Sequence, residues 1–489
     1  KNMTEKNKWF YSTVHYQGDK VYLKGYRQDG TPLIGSVDFK PFMFMVGAGG
    51  GFTSFDGHKQ LSKKVFDSYE NLSDYLMRNP GRCYGMGIQT DKVNKKELLY
   101  TFLSETFPQE IIEYNTNYIG ILNFDIETTS EEGFPDYNNP IEEILSISCS
   151  VLRNGKRIYK TFGTKFCKDS EIEDYEGCDD EHEMLKKFCK FVRNSNVDVI
   201  TGWNITKFDI PYLCSRIEEY YDSDWLKFLS PFNLQPKRVK KRVKNQKTKQ
   251  MEEFDVYDIA GLSDLDMIRL YAKFDTYNGS LALNNIAHRE LGEKKLDYSE
   301  YGSLHKLWKE NWDLFIKYNQ KDVVLVDKLV DKLKYVELAI TIAYLAKIKY
   351  EDSLSPVKTW DMLIYNYLYH QKKTIIPHKK EVEKTQQNRG GRVKDSKKGF
   401  SEYVVTTDAE SLYPSIMISL NISPETFVKK IDIQEHKILT MEYDTSWLKD
   451  ANYALASNGC LFDRNKEGVL SHIVSTIFQK RKDYKNLMK

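Results

Sequence analysis

The segment "NFDIETTS" places Asp125 and Glu127 two residues apart at the end of the apolar run "YIGILNFDIE". On a strand, residues i and i+2 leave the same face, so both carboxylates point one way. Two acids side by side on a buried strand are costly unless something cationic joins them. A pair of divalent ions about 3.5 to 4 Å apart is one answer, and that pair cleaves phosphodiesters by activating water and stabilising the leaving oxygen. A strand end open to water explains D-x-E equally well. Two further segments carry acids. "TGWNITKFDIPYL" puts Asp209 after a strand and loop, at a helix start, and "YNQKD" puts Tyr318 and Asp322 four apart on one helical face. Spacing alone leaves open whether these groups meet. Asp255, Asp264 and Asp266 belong to no motif and read as surface or capping residues.

A second constellation lies downstream. In "EYVVTTDAESLYPSIM" a β-type run delivers Asp408 to a turn carrying Tyr413 and Pro414, which reads as half of a metal site. Beyond the apolar-periodic "GVLSHIVSTIF", the helix "FQKRKDYKNLMK" sets Arg481 and Lys485 four apart. They suit a polyphosphate, or else form a basic helix end favoured by the dipole. The run "KRVKKRVKNQKTK", 237–249, carries eight Lys/Arg and no acid. It is either a solvated loop or, with its valines and central Asn245, a two-stranded ribbon that contacts DNA through Lys237, Arg238, Lys240, Lys241, Arg242 and Lys244.

The elements that must position these groups alternate. "YIGILNFDIE", "EEILSISCSV" and "VDVITGW" read as buried strands, with helices over "DEHEMLKKFCKFVRN" and from "FDIPYLCSRIEEYY", an α/β pattern placed at 116–340. One long helix is expected over 317–348, ending before Pro356, with another over "KTWDMLIYNYLYHQ". The first 115 residues are strand-like and turn-rich, a mixed α/β module; Gly47 and Gly49 to Gly51 are not followed by Gly-Lys-Ser/Thr, so they make a loop tip and no phosphate loop. The polar stretch 378–399 reads as a linker.

The 489 residues allow two to four domains, and 29% charged and 13% aromatic residues with a net charge of +2 describe a soluble globular chain. Any nucleic-acid surface must come from local charge segregation. Cys83, Cys149, Cys167, Cys178, Cys189, Cys214 and Cys460 form no CxxC or Cys/His cluster, which disfavours zinc and a disulfide framework. No apolar run reaches about 18 residues and the start "KNMTEKNKWF" lacks a signal-peptide core, so a cytoplasmic protein without membrane insertion is expected.

"FDIET", "NITKFD" and "YNQKD" resemble the three exonuclease motifs of the DnaQ-like 3'-5' proofreading domains in family B DNA polymerases. "DAESLYPSIM" is similar to that family's first palm motif, and the whole chain resembles the T-even-type bacteriophage replicative class, whose host cytoplasm would be the compartment. The resemblance implies an α/β multidomain chain: an amino-terminal domain at 1–115 completed by about 341–388, an RNase H-like exonuclease domain at 116–340, a partial α+β palm at 389–468, and the first fingers helix at 469–489. It also implies that Asp125, Glu127, Asp209 and Asp322 hold or organise two Mg2+ ions, with Mn2+ as substitute, and that Tyr318 orients the attacking water. Asp408, with the Ala409 carbonyl, would bind the polymerase metals. Ser411 and Leu412 would face a dNTP triphosphate with Arg481 and Lys485, and Tyr413 would pack beneath the deoxyribose. The basic run falls where those enzymes place a hairpin that helps part the primer strand.

The family continues with a second fingers motif, K-x-x-x-N-x-x-Y-G, and a palm D-T-D; neither is here, and "YDTSW" with Asp444 and "FDTYNG" are no substitutes. The expectation is therefore the N-terminal part of a replicative DNA polymerase with a complete proofreading site. It would act on primer-template DNA and single-stranded ends and synthesise only with a C-terminal part or subunit. An independently acting 3'-5' exonuclease is the alternative. A non-catalytic DNA-binding or assembly protein is the third reading, against which the intact acids speak.

Overall fold

In the computed structural model the described residues are 8–47, 49–89, 91–129, 135–167, 172, 174–244, 251–377, 398–408 and 411–488, without the side chains of 242–244, 252 and 435. They form a mixed α/β chain of two compact units, one of 1–41, 67–69 and 95–362, the other of 42–66, 70–94 and 363–489.

In the first unit, β1 (Trp9–Gln17), β2 (Lys20–Arg27) and β3 (Pro32–Asp38) make an antiparallel meander. The larger sheet has six strands: β4 (Ile121–Thr128), β5 (Ile144–Arg153), β6 (Lys156–Gly163), β7 (Tyr175–Gly177), β8 (Val199–Thr201) and β11 (Ser263–Asp264), in the order β7-β6-β5-β4-β8-β11. β4 lies antiparallel to β5 and parallel to β8.

The alternation along β4 and β5 separates two faces. Leu122, Phe124 and Ile126, with Ile147, Cys149 and Val151, are buried in a core completed by α1 (Glu181–Asn194) and α2 (Asp209–Tyr220). Each such side chain moved out of water is worth about 1.5 to 3 kcal/mol, which fixes the register, because a one-residue slip would turn the whole set outward. Glu181, buried at the start of α1, accepts from the Ile144 amide at 2.8 Å and forms a 2.8 Å ion pair with Arg216 of α2, tying both helices to the sheet. Gly202 follows β8 where a Cβ would stand 2.9 Å from the Phe124 carbonyl oxygen, so the chain passes β4 only without a side chain.

The opposite face is polar: Asn123 faces Ser150, Asp125 faces Ser148 and Glu127 faces Ser146. It is covered by α4 (Trp312–Leu333), whose Asp327 accepts from Asn123 Nδ2 and Ser150 Oγ, both at 2.9 Å. The long helix expected over 317–348 is two: Lys334 takes a left-handed φ of 56° that closes α4, and α5 (Tyr335–Ala346) starts anew. The apolar spacing runs on across Lys334, so periodicity alone does not mark the break.

The basic run supplies one strand, β9 (Lys237–Lys244), of a two-stranded antiparallel ribbon whose other strand is β10 (Met251–Asp258), "MEEFDVYD"; the turn expected at Asn245 falls in 245–250, outside the described residues. The partner strand brings carboxylates across: Arg238 pairs with Asp255 at 2.9 Å and Lys240 with Glu253 at 3.4 Å. α3 (Met267–Phe274) follows, capped by Asp266.

In the second unit, Thr374–Ile375, Phe52–Ser54, Gln60–Val65, Phe42–Val46 and Cys83–Tyr84 form a sheet in that order. A three-stranded sheet has Cys460–Asp463 between Phe427–Lys430 and Tyr453–Leu455. Beside it stand α6 (Leu412–Leu420) and α7 (Val469–Leu487), joined where Asn421 donates to the Asp463 and Lys466 carbonyls and accepts from the Gly468 amide. The strand expected over "EYVVTTD" is absent: 402–408 is irregular and exposed, Tyr403 at 98% and Val405 at 86%. A strand needs a ladder partner, and among the described residues none pairs with it. Residues 378–397 of the expected linker lie outside the description. No described helix is long and apolar enough to cross a membrane.

Candidate functional site

Asp125 and Glu127 stand on the polar face of β4, and Asp322 reaches them from α4; one carboxylate oxygen of each lies within 4.8 Å of the others. Sequence distance is bridged because α4 lies across that face. Asn319, one turn before Val323, donates to Asp125 Oδ2 at 2.7 Å while its Oδ1 accepts from Ser146 Oγ at 3.0 Å, so the amide holds Asp125 in place from above. Asp209 is the first residue of α2. β8 ends at Thr201, leaving the Ile126 amide without a ladder partner on that side, and Asp209 Oδ1 accepts from it at 3.1 Å. Asp209 thus stands next to the triad without belonging to it.

Among the described residues one cation faces these acids. Lys295 Nζ donates to Asp322 Oδ2 at 2.5 Å and to the Tyr318 hydroxyl at 3.1 Å. Burial pulls its pKa down, but Asp322, Tyr318 and Asp125 outweigh burial and hold it above its usual range. The Tyr318 ring meets Tyr298 edge-on at 5.2 Å, and burial with the neighbouring Asp322 keeps its hydroxyl protonated. Neither Lys295 nor Asn319 was expected from sequence. Asn319 has a signal, its place inside "YNQKD"; Lys295, in a loop, has none.

Among the described residues, four carboxylates stand against one lysine, which leaves the site electrically uncompensated. Burial, then Asp209, Glu127 and Asp322, push Asp125 well up; burial and Asp322 push Glu127 to about 8; and burial raises Asp209 to about 7 despite its backbone hydrogen bonds. Asp322 Oδ1 is buried without a hydrogen-bond partner. An orphaned carboxylate oxygen at the meeting point of three acids fits a divalent cation: hard, oxygen-seeking and doubly charged. Asp125, Glu127 and Asp322 are the residues that would hold it.

Stability should then couple to pH and metal. Glu127 has a folded pKa of about 8 against an ordinary 4.5, so the folded state keeps a proton that the unfolded chain has released. Metal-free stability therefore falls as pH rises through that window. A cation needs the ionised acids, so its benefit grows over the same range. Thermal melts with and without Mg2+ or Mn2+ should show an increment that is small at pH 5 and largest at pH 8. At 100 times Kd this is about 2.7 kcal/mol, or roughly 5 to 10 °C; an increment independent of pH would contradict the site.

The other expected residues are less gathered. Asp408 is exposed, Ala409 lies outside the described residues, and among the described residues no acidic cluster forms around Asp408. Ser411 takes a left-handed φ of 52° before α6, and its Oγ accepts a long, 3.5 Å contact from Arg481 of α7. Leu412 and Tyr413 are exposed, as is Lys485. Of the basic run, Lys237, Arg238 and Lys240 are exposed; Lys241 turns inward, 3.6 Å from Asp264, and the side chains of Arg242 and Lys244 lie outside the description. Asp266, expected as a cap, accepts from the Ile268, Asn204 and Thr206 amides, and Asp264 accepts from Thr206 Oγ1.

Residues 80–286 match the DNA polymerase family B exonuclease domain, and residues 360–489 match DNA polymerase family B. Lys295, Tyr318 and Asp322 fall between these spans and join the site by geometry. The chain is 30% identical to the DNA-directed DNA polymerase of Escherichia phage RB69 and 27% to that of Enterobacteria phage T4, each over 98% of this chain and 54% of the relative. It is 26% identical to the DNA polymerase delta catalytic subunit of Candida albicans over 75% of this chain and 35% of that protein. The chain thus spans about half the length of its phage relatives.

Proposed function

The chain belongs to DNA polymerase family B, and on that footing we propose that its first unit removes nucleotides from DNA 3' ends with an RNase H-like exonuclease site. The observation that carries this is the convergence of Asp125, Glu127 and Asp322 with a buried, unpartnered Asp322 oxygen. Divalent cations, Mg2+ foremost, would supply charge neutralisation for the phosphodiester and a more acidic water. The chain's own residues do the rest. Asp209 adds negative charge beside the triad from the start of α2, and Asn319 fixes the Asp125 carboxylate. Tyr318, kept protonated, offers its hydroxyl to orient a water, and Lys295 presents a permanent positive charge where the pentavalent phosphate gathers negative charge. Water adds to phosphorus, the bond to the 3' oxygen of the preceding nucleotide breaks, that oxygen takes a proton, and a nucleoside 5'-monophosphate leaves.

We propose further that Asp408 and the Ser411, Leu412, Tyr413, Arg481 and Lys485 group belong to a site for primer-template DNA and dNTP. Its second palm carboxylate would come from outside residues 1–489. The Arg481 to Ser411 contact supports the pairing of α7 with the α6 turn. The residues proposed for the exonuclease site lie in the first unit and those proposed for the polymerase site in the second, which favours nucleotide removal independent of synthesis.

The test uses residues 1–489 with Mg2+. Single-stranded DNA labelled at its 5' end should shorten from the 3' end, releasing 5'-monophosphates. A primed template with dNTPs should show no extension until a polypeptide carrying the remaining palm and fingers motifs is added. Template-directed synthesis by residues 1–489 alone, or internal cleavage in place of end trimming, would count against the respective half of the proposal.

A further inference from the structure

Behind Asp125 stand two fully buried side chains, Asn319 of α4 and Ser146 of β5. Asn319 Nδ2 donates to Asp125 Oδ2 at 2.7 Å and to the Asp125 carbonyl oxygen at 3.4 Å. A carbonyl, and a carboxylate in its ionised form, accept and do not donate, so the NH2 end of the amide must face Asp125 and its oxygen must face away. That oxygen needs a donor inside the fold, and Ser146 Oγ supplies one at 3.0 Å.

The neighbouring serines of the same polar face bond elsewhere. Ser148, which faces Asp125 directly across the ladder, shares a 3.1 Å hydrogen bond with Thr161 of β6, and Ser150 donates to Asp327 at 2.9 Å. Ser146 faces Glu127 in the ladder, yet its bond leads through Asn319 to Asp125. A path of two hydrogen bonds thus runs from the middle of the sheet, through the covering helix, to the carboxylate on the adjacent strand.

Removing the Ser146 hydroxyl leaves Asn319 Oδ1 buried without that donor, which is costly. The last torsion of an asparagine is soft, so the amide can turn to relieve the cost, and turning carries Nδ2 away from Asp125. We propose that Ser146 is a positioning residue: its hydroxyl fixes the Asn319 amide, and the amide holds the Asp125 carboxylate in the orientation that a divalent cation requires. This rests on reading Asp125, Glu127 and Asp322 as a cation site. Hydrogen bonds to ligating groups typically contribute about 10- to 100-fold in metal affinity, and Ser146, one bond further out, belongs at the lower end of that range.

Calorimetric titration of residues 1–489 with Mn2+ at pH 8 reads the site without DNA or turnover. Wild type should bind saturably, and D125A with E127A should abolish that binding. S146A should raise the Mn2+ Kd about tenfold, N319A by about tenfold or more, and S146C, whose thiol is a weaker donor, by about threefold or more. The S146A/N319A double variant should bind within about twofold of N319A, because both changes break one path. S148A also deletes a buried hydroxyl, and closer to Asp125 across the ladder, but should stay within about twofold of wild type. Melting temperatures without metal identify the folded variants. Among these, wild-type affinity in the variants at position 146, equal losses in S146A and S148A, or S146A and N319A losses that multiply would overturn the relay and leave the cation site standing. Wild type without Mn2+ binding, or with binding that survives D125A and E127A, would overturn the cation site and the relay together.

Discussion

Replacing Asp125 and Glu127 together by Ala is expected to slow 3'-nucleotide removal by at least about 10³-fold, since the several kcal/mol supplied by metal-held charge convert at 1.36 kcal/mol per decade. The loss should fall on turnover, with single-stranded DNA still bound, because in the proposed site these acids would face the reacting phosphate and not the length of the strand. Stability should move the other way. Both acids are pushed up by burial and by neighbouring carboxylates, Asp125 by Asp209, Glu127 and Asp322, and Glu127 by Asp322 to about 8, so at pH 8 the metal-free wild type carries a repulsion that the variant lacks. The variant should melt no lower than wild type at pH 8 without metal, and Mg2+ should no longer raise its melting temperature. A rate within tenfold of wild type would remove these residues from the chemistry. A metal-free melt far below wild type would show that they are structural instead.

The second large effect lies at Asp198, immediately before β8. Its buried carboxylate accepts from Ser12 Oγ at 2.6 Å, Tyr26 hydroxyl at 2.7 Å and the Gly120 amide at 2.8 Å, and pairs with Lys24 at 2.9 Å, both side chains being 1% exposed or less. Lys24 also donates to the Val197 carbonyl at 2.7 Å. Asp198→Ala leaves an ammonium buried without its counter-charge, at a cost of about 3 to 5 kcal/mol. The urea midpoint of the first unit should drop accordingly, while Asp198→Asn combined with Lys24→Met should recover part of the loss. Because β8 pairs with β4 at Val199 and Ile121, Asp198→Ala should also reduce exonuclease activity at temperatures below its melt. A midpoint within about 1 kcal/mol of wild type would show the pair to be energetically idle, as many exposed ion pairs are.

Period-two and period-three-to-four patterns made β4, β5, α1 and α2 legible from residues alone, because one face of each is apolar and the other is not. The same alternation put Asp125 and Glu127 on one face. Legibility ended where a partner distant in sequence decides the outcome. Lys295 is one of 72 Lys and Arg, and nothing local distinguishes the one that α4 receives. Asp209 reads as a helix-start acid, yet its oxygen on the Ile126 amide depends on β8 ending early. The break at Lys334 is set by a left-handed residue that most side chains avoid, so neither propensity nor spacing announces it. The run 402–408 has strand composition, but composition forms no ladder without a neighbour. The basic run read as a ribbon on its own valines, while the strand paired with it, "MEEFDVYD", is acidic and begins only at Met251.

That mate changes what β9 can contribute to holding a nucleic acid. A free lysine that neutralises a phosphate releases a condensed counterion, and binding then weakens steeply as salt rises. Arg238, Lys240 and Lys241 each already face a carboxylate of this chain. For any of these three to meet a phosphate it must exchange one anion for another, so each adds less to the salt dependence of binding than a lysine with no carboxylate beside it.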